Sequence, residues 1–199
     1  MAAIPLQPDC FLEGERVQIR PLRLADLPEM AAWEPHTAPL LRDYNLSISS
    51  PAGWRNWLQK RRRHRWLYAI RNQEGVLVGR LSLRHIDSPR SARLGITVAA
   101  SYVNHGYGRA AMRAFLDYYF ERLGFEEMRL DVSAVNLRAR RLYQELGFRT
   151  LNSFWRTAPM DGDWAREKRY RRHFRRGKMR FYEMRLSARE WWRVRASLG

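Results

Sequence analysis

Apolar and polar residues first alternate at "RVQIR", where Val17 and Ile19 point one way and Gln18 and Arg20 the other, the period of a half-buried strand. Asp26 then predicts a helix start, with Glu29 three residues on as the return half of a capping box. Ser50-Pro51 predicts a second start, with proline at the first helical position. "WRNWLQKRRRHR" continues it and puts Trp54, Trp57 and Leu58 on one face. "WLYAIRNQEGVLVGRLSLRHID" predicts two strands joined by a turn at Asn72–Gly75, and "SARLGITVAASY" a further strand. After a loop containing Gly106 and Gly108, "RAAMRAFLDYYF" has helical spacing and stops at Gly124, a left-handed C-terminal cap. "EMRLDVSAV" alternates Met128, Leu130 and Val132, and Asn136 then opens "NLRARRLYQELGF", a helix closed by Gly147. From Arg149 the period is lost, and the pattern predicts a long, partly ordered connection with strand at either end. "MRFYEMRL" predicts the last strand, and Ser187 with Glu190 a capping box for a short terminal helix carrying Trp191 and Trp192. The order predicts a mixed α/β (α+β) chain around a central sheet. No linker divides it, so residues 1–199 are expected to form a single domain, with a basic elaboration at about 152–178 and a helix at about 187–198.

Composition narrows the class. There is no run of roughly 18 apolar residues, so no membrane span is expected. The N-terminus lacks the basic and apolar regions of a signal peptide, and a lone Cys10 excludes an internal disulfide; together these point to a reducing, cytoplasmic setting. No Cys/His set has zinc spacing, so no metal is expected. Charge changes the picture more. Lys and Arg total 37 against 20 Asp and Glu, a formal net charge of +17, concentrated in Lys60–Arg65 and Arg166–Arg180. Such segments suit RNA, a ribosome or an acidic protein surface, and they equally suit a solvated basic face.

The loop "VNHGYG" asks for its own explanation. A helix follows it without a Ser, Thr or Asp cap, so its first N–H groups and partial positive charge are available to an anion. Glycine lets the backbone turn inward and a ligand come close. Together these make a site suited to a pyrophosphate, with Arg109 as an added charge. The full dinucleotide fingerprint is absent, because position 111 is alanine, and there is no P-loop Gly-Lys-Ser/Thr.

The stretch resembles motif A of the Gcn5-related N-acetyltransferases (GNAT), Gln/Arg-x-x-Gly-x-Gly/Ala, with Gly106 and Gly108 at the small positions. Val103 departs from the Gln/Arg position in the manner of the branch similar to ribosomal-protein N-terminal acetyltransferases. Asn136, Ala139, Leu142, Tyr143, Gly147 and Phe148 resemble the family's second signature, and Asn136 stands 28 residues after Gly108. The resemblance spans about Val17 to Arg149 and the last strand. It implies a GNAT fold, a mixed sheet of six to seven strands flanked by helices and splayed between the fourth and fifth. It also implies acetyl-CoA as co-substrate and a primary amine, on a protein N-terminus or a small molecule, as acceptor.

By the same resemblance, Ile96 and Val98 would hold the pantetheine arm, and Val103, Asn104, His105, Gly106, Gly108 and Arg109 the pyrophosphate. Asn136 would contact pantetheine or cap its own helix. Tyr143 would be the catalytic acid that protonates the departing thiolate, since a phenol of ordinary pKa about 10 keeps its proton at neutral pH. Glu34, His85, Asp87 and Ser101 are candidate bases, none distinguished, and Trp33 is a candidate wall of the acceptor cleft. The competing reading is a nucleic-acid- or ribosome-binding protein on the same scaffold, with Trp164, Tyr170 and Phe174 stacking on bases. Monomer and homodimer both stay open.

Overall fold

The alternation at Val17 and Ile19 becomes a strand with both side chains fully buried and Gln18 and Arg20 half-exposed. The computed structural model describes residues 5–37, 41, 45, 50–87, 89–157, 168 and 170–198. In chain order these form β1 (Leu12–Glu13), β2 (Val17–Pro21), α1 (Leu27–Ala31), α2 (Pro51–Arg62), β3 (Arg65–Asn72), β4 (Leu77–Asp87) and β5 (Ser91–Val98). Then come α3 (Tyr107–Asp117), β6 (Glu127–Ser133), α4 (Leu137–Glu145), β7 (Arg149–Thr157), β8 (Phe174–Arg175), β9 (Lys178–Ser187) and α5 (Ala188–Leu198). The strands form one mixed, open sheet in the order β1-β2-β3-β4-β5-β6-β9-β7, with β8 beside β9. Seven of the described strands have five residues or more, and only β5 and β6 run parallel. Among the described residues no helix is long and apolar enough to cross a membrane.

One sheet face carries Tyr68, Leu81, Leu83, Leu94 and Leu130. It packs on Met112, Phe115 and Leu116 of α3, Tyr143 and Leu146 near α4, and Trp191 of α5. Trp191 is buried with its indole N–H donating to Asp117 at 2.9 Å, which locks α5 to α3. Each such large apolar side chain contributes about 1.5–3 kcal/mol on burial. The opposite face is covered only in part. Leu67 and Ala69 of β3 lie under Leu27 and Met30 of α1 and Leu58 of α2. Beyond β3 that face is polar, with Arg80, Arg84, Arg93, Asp131 and Glu183 in matching registers.

Local chemistry accounts for most boundaries. Ser50 Oγ accepts from Gly53 N at 3.2 Å, and Ser187 and Glu190 exchange the two bonds of a capping box at 3.0 and 3.3 Å. Gly147 closes α4 at φ +89°, and Gly124, at φ +68°, closes the π-helical segment Tyr118–Arg122 that continues α3.

Three expectations are corrected. Asp26 does not cap α1. Its carboxylate instead accepts from Arg20 at 2.6 and 2.8 Å, Arg71 at 2.7 Å and the preceding Arg23 N–H at 2.7 Å, and these charge-assisted bonds hold it away from the first amides of α1. Glu29 also bonds to Arg71. The strand expected through Tyr102 ends at Val98, and a 3-10 turn covers Ala100–Tyr102. Helix α3 starts at Tyr107, two residues before Arg109, so Gly108 lies inside its first turn. Residues 149–157 form β7, the strand expected at the start of the aperiodic stretch; it is an edge strand exposed along most of its length, which needs no apolar alternation. At the other end, Arg176 and Gly177, both at positive φ (+48° and +70°), make the tight turn of a hairpin joining β8 to β9. Trp164 lies outside the described residues.

Candidate functional site

The parallel ladder between β5 and β6 stops at Leu94–Leu130. Beyond it β5 stays with β4 as far as the Gly79–Val98 pair, and β6 stays with β9 as far as Ser133–Phe181. Each strand keeps its antiparallel neighbour, so the gap opens between them. Along that gap alternate backbone groups of Gly95–Val98 face open space instead of a strand. A cleft of about 530 Å³ fills the gap, lined by Ile96, Thr97 and Val98 on one wall.

The loop after β5 forms one end of the cleft. Val103, Asn104, Gly106, Gly108 and Arg109 line it, whereas His105 does not. Asn104 and Gly106 take φ of +72° and +83°, which turns the chain sharply into α3. Gly106 is the N-cap, and no side chain caps the helix. A Cβ on Gly108 would meet only Val98 Cγ2, at 3.6 Å, so the protein itself has room there and a larger side chain would occupy cleft space. From outside, Arg16 donates to the His105 carbonyl at 2.9 Å and stacks on Tyr107, its guanidinium carbon 5.3 Å from the ring centre. This brace lies about 90 residues away in sequence, and no local pattern marks it. Arg109 is ion-paired with Glu145 of α4. Arg138 donates to Asn104 Oδ1 at 2.9 Å, and Arg141 joins these two arginines in the lining.

Helix α4 supplies the opposite wall. Asn136 both lines the cleft and caps its helix, with Oδ1 accepting from Ala139 N at 3.1 Å. Tyr143 is buried, lines the cleft and packs on Phe148 with ring centres 5.7 Å apart. Of the nine residues expected around a CoA, all but His105 therefore converge with Tyr143 on one cleft.

The acceptor side was less legible. Glu34, Ser101, His85 and Asp87 do not line this cleft; His85 lines a separate polar hollow on the open sheet face. Trp33 donates to the Leu77 carbonyl at 3.0 Å and walls a small side hollow with Glu34. The residue that does reach the cleft is His36. Asn45 fixes its backbone, accepting from the His36 N–H at 2.7 Å and donating to its carbonyl at 3.2 Å. Burial lowers the imidazole pKa below 6.5; a hydrogen bond to the Val98 backbone opposes this, and the charge of Arg138 adds to it. His36 is therefore mostly neutral at pH 7 and able to accept a proton. It lies on the connection between α1 and α2, where hydrophobic periodicity carries no information. Among the described residues no cluster of His, Cys, Asp and Glu could hold a metal.

Residues 16–149 match the model of the acetyltransferase (GNAT) domain family. No curated protein matches the chain significantly. Among solved structures, the spermidine N-acetyltransferase from Vibrio cholerae in complex with CoA and spermine is similar at TM-score 0.70 and 19% identity, over 88% of this chain and 98% of that one. Mycobacterium smegmatis RimJ in complex with CoA-disulfide is similar at 0.68 and 20%, over 95% of each chain. A GCN5-related N-acetyltransferase from Brucella melitensis is similar at 0.65 and 18%, over 99% of this chain and 87% of that one. At such identities the likeness is one of fold.

Proposed function

The chain belongs to the GNAT acetyltransferase family, and on that premise we propose that the described cleft binds acetyl-CoA and that the protein passes the acetyl group directly to a primary amine. The observation that carries this reading is the convergence on one cleft of an uncapped helix start, unpaired strand edges and a buried tyrosine. The residues fit a CoA. The first turn of α3 offers backbone N–H groups and the positive end of its dipole to a pyrophosphate. Arg109, Arg138 and Arg141 add cationic charge in the lining. The open edge of Ile96–Val98 suits the amides of a pantetheine arm. When bound, acetyl-CoA supplies a thioester carbonyl activated for acyl transfer.

The residues of this chain then divide the proton work. His36, neutral at pH 7, accepts the proton that the amine loses as its nitrogen bonds to the acyl carbon. Tyr143, on the α4 wall, gives its phenolic proton to the sulfur as the carbon–sulfur bond breaks. Bulk water takes the first proton from His36 and replaces the second on Tyr143. Such positioned proton transfers contribute roughly 10²–10⁴-fold each. Val103 at the usual Gln/Arg position supports the narrower reading that a protein α-amine is accepted. The basic segments 60–65 and 166–180 support docking on RNA, a ribosome or an acidic protein surface.

The test is calorimetric titration of acetyl-CoA and CoA into wild type and Gly108→Trp, followed by an amine screen with Tyr143→Phe. Micromolar binding in wild type, lost in Gly108→Trp, is expected because the indole would fill the cleft. Tyr143→Phe should keep that binding and lower kcat by about 10²-fold or more. Wild type that binds neither ligand would remove the reading.

A further inference from the structure

The open sheet face holds a group of arginines that no described carboxylate neutralises. Arg61 at the end of α2 and Arg80 in β4 lie against Trp57, and Arg65 at the start of β3 shares the sheet face of Arg80 as the cross-strand partner of Arg84. The guanidinium carbons of Arg61 and Arg80 lie 5.4 and 5.6 Å from the Trp57 ring centre, so one indole steadies both cations. All three arginines are half-buried. Among the described residues none of them has an ion-pair partner, whereas Arg84, four residues on in β4, is paired with Asp131 at 3.1 Å. Burial and the charges of Arg61 and Arg65 push the Arg80 pKa down to about 10, and Arg65 is lowered by burial, Arg61 and Arg84. At about 10, Arg80 remains charged at neutral pH. Three like charges held together and partly desolvated oppose folding unless an anion joins them.

Their position says which anion. Arg80 is the cross-strand partner of Thr97, and Thr97 lines the cleft. Directly opposed side chains on adjacent strands share a face, and the strands are only about 4.8 Å apart. This is also the face covered by α1 and α2, whose connection carries His36 to the cleft. An anion on Arg80 would thus sit one strand away from the acetyl-transfer gap, on the acceptor side.

We propose that Arg80, with Arg61 and Arg65, binds a carboxylate or phosphate carried by the acceptor, so that the substrate is an amine bearing a negative charge. This rests on the amine-transfer reading above and narrows it. It separates the chain from an acceptor that is a polycation such as spermine, which three unneutralised arginines would repel.

Two measurements test it. In the first, inorganic phosphate and acetate are titrated into wild type and Arg80→Gln, both saturated with CoA so that the α3 helix start is filled. Millimolar binding of at least one anion, weakened tenfold or more in the variant, is expected. No binding to wild type, equal binding to both proteins, or an adventitious ion only, insensitive to Arg80→Gln, would overturn the proposal. In the second, matched acceptors are compared: β-alanine against β-alaninamide, and phosphoethanolamine against ethanolamine. The anionic member of one pair should show at least tenfold higher kcat/KM, mainly through KM, and the pair that responds distinguishes carboxylate from phosphate. Arg80→Gln should erase the preference and Arg80→Lys restore part of it, with the Kd for CoA unchanged as proof of folding. Equal use of both members, or preference for the uncharged one, would overturn the proposal. An RNA shift abolished by Arg80→Gln without any acceptor preference would overturn it in favour of nucleic-acid docking. Should CoA bind and no amine be acetylated, the transfer reading fails while the anion titration still decides this one.

Discussion

His36 shows how much one side chain depends on its surroundings. A histidine in "WEPHT" carries no signal of its own, yet two bonds from Asn45 and one to Val98 hold it in the cleft with its pKa lowered, first by burial. A base with a lowered pKa is competent above that pKa and is lost as pH falls through it. The acid limb of kcat/KM is therefore expected below pH 6.5 in wild type. His36→Gln should remove that limb and lower the plateau by about 10²-fold. A pH profile of both proteins at fixed acetyl-CoA checks this, and an unchanged limb in the variant would assign it to another group. Tyr143 differs in kind. Its helix signature was legible in the sequence, and the structure adds that it is buried against the cleft.

At the scale of elements, motifs that act within one turn or one helix were legible and pairings across the sheet were not. Asn136, Ser50, Ser187 with Glu190, Gly124 and Gly147 all act on a backbone group or φ angle within three or four residues, so spacing reveals them. Asp26 has the same composition as a cap, but Arg71 arrives from β3 and takes its carboxylate. The β7 edge was legible only as strand at the start of an aperiodic stretch, because a strand that buries little shows no period. Asn136 offers a clean test at this scale. Asn136→Ala should cost about 0.5–2 kcal/mol by denaturant unfolding through loss of the cap. If it also faces pantetheine, the same variant should weaken CoA binding beyond that loss. A Kd unchanged in a folded variant would restrict Asn136 to capping.

For the whole molecule, the Asp26 cluster joins β2, the turn before α1, and β3. Burial raises the Asp26 pKa, but bonds from Arg20, Arg71 and the Arg23 N–H outweigh it and leave the carboxyl below the usual range. A depressed carboxyl contributes stability that is complete above its unfolded pKa of about 3.9 and disappears as pH falls through the folded value. Acid unfolding should accordingly set in below about pH 4. Asp26→Asn should lower stability at pH 7 by roughly 3–5 kcal/mol, since it leaves two partly buried guanidinium groups without their anion, and should flatten the acid transition. Chemical denaturation from pH 2 to 7 measures both. The sequence by itself determined the element order, the helix caps other than Asp26, the glycine loop and the helix signature around Tyr143, because each depends on residues close together in the chain. Only the tertiary structure decided the splay of β5 from β6, the arrival of His36 in the cleft, the Arg16 brace and the arginines around Trp57. Each of those depends on which distant strands and loops become neighbours, and that choice is made by burial of the sheet faces as a whole.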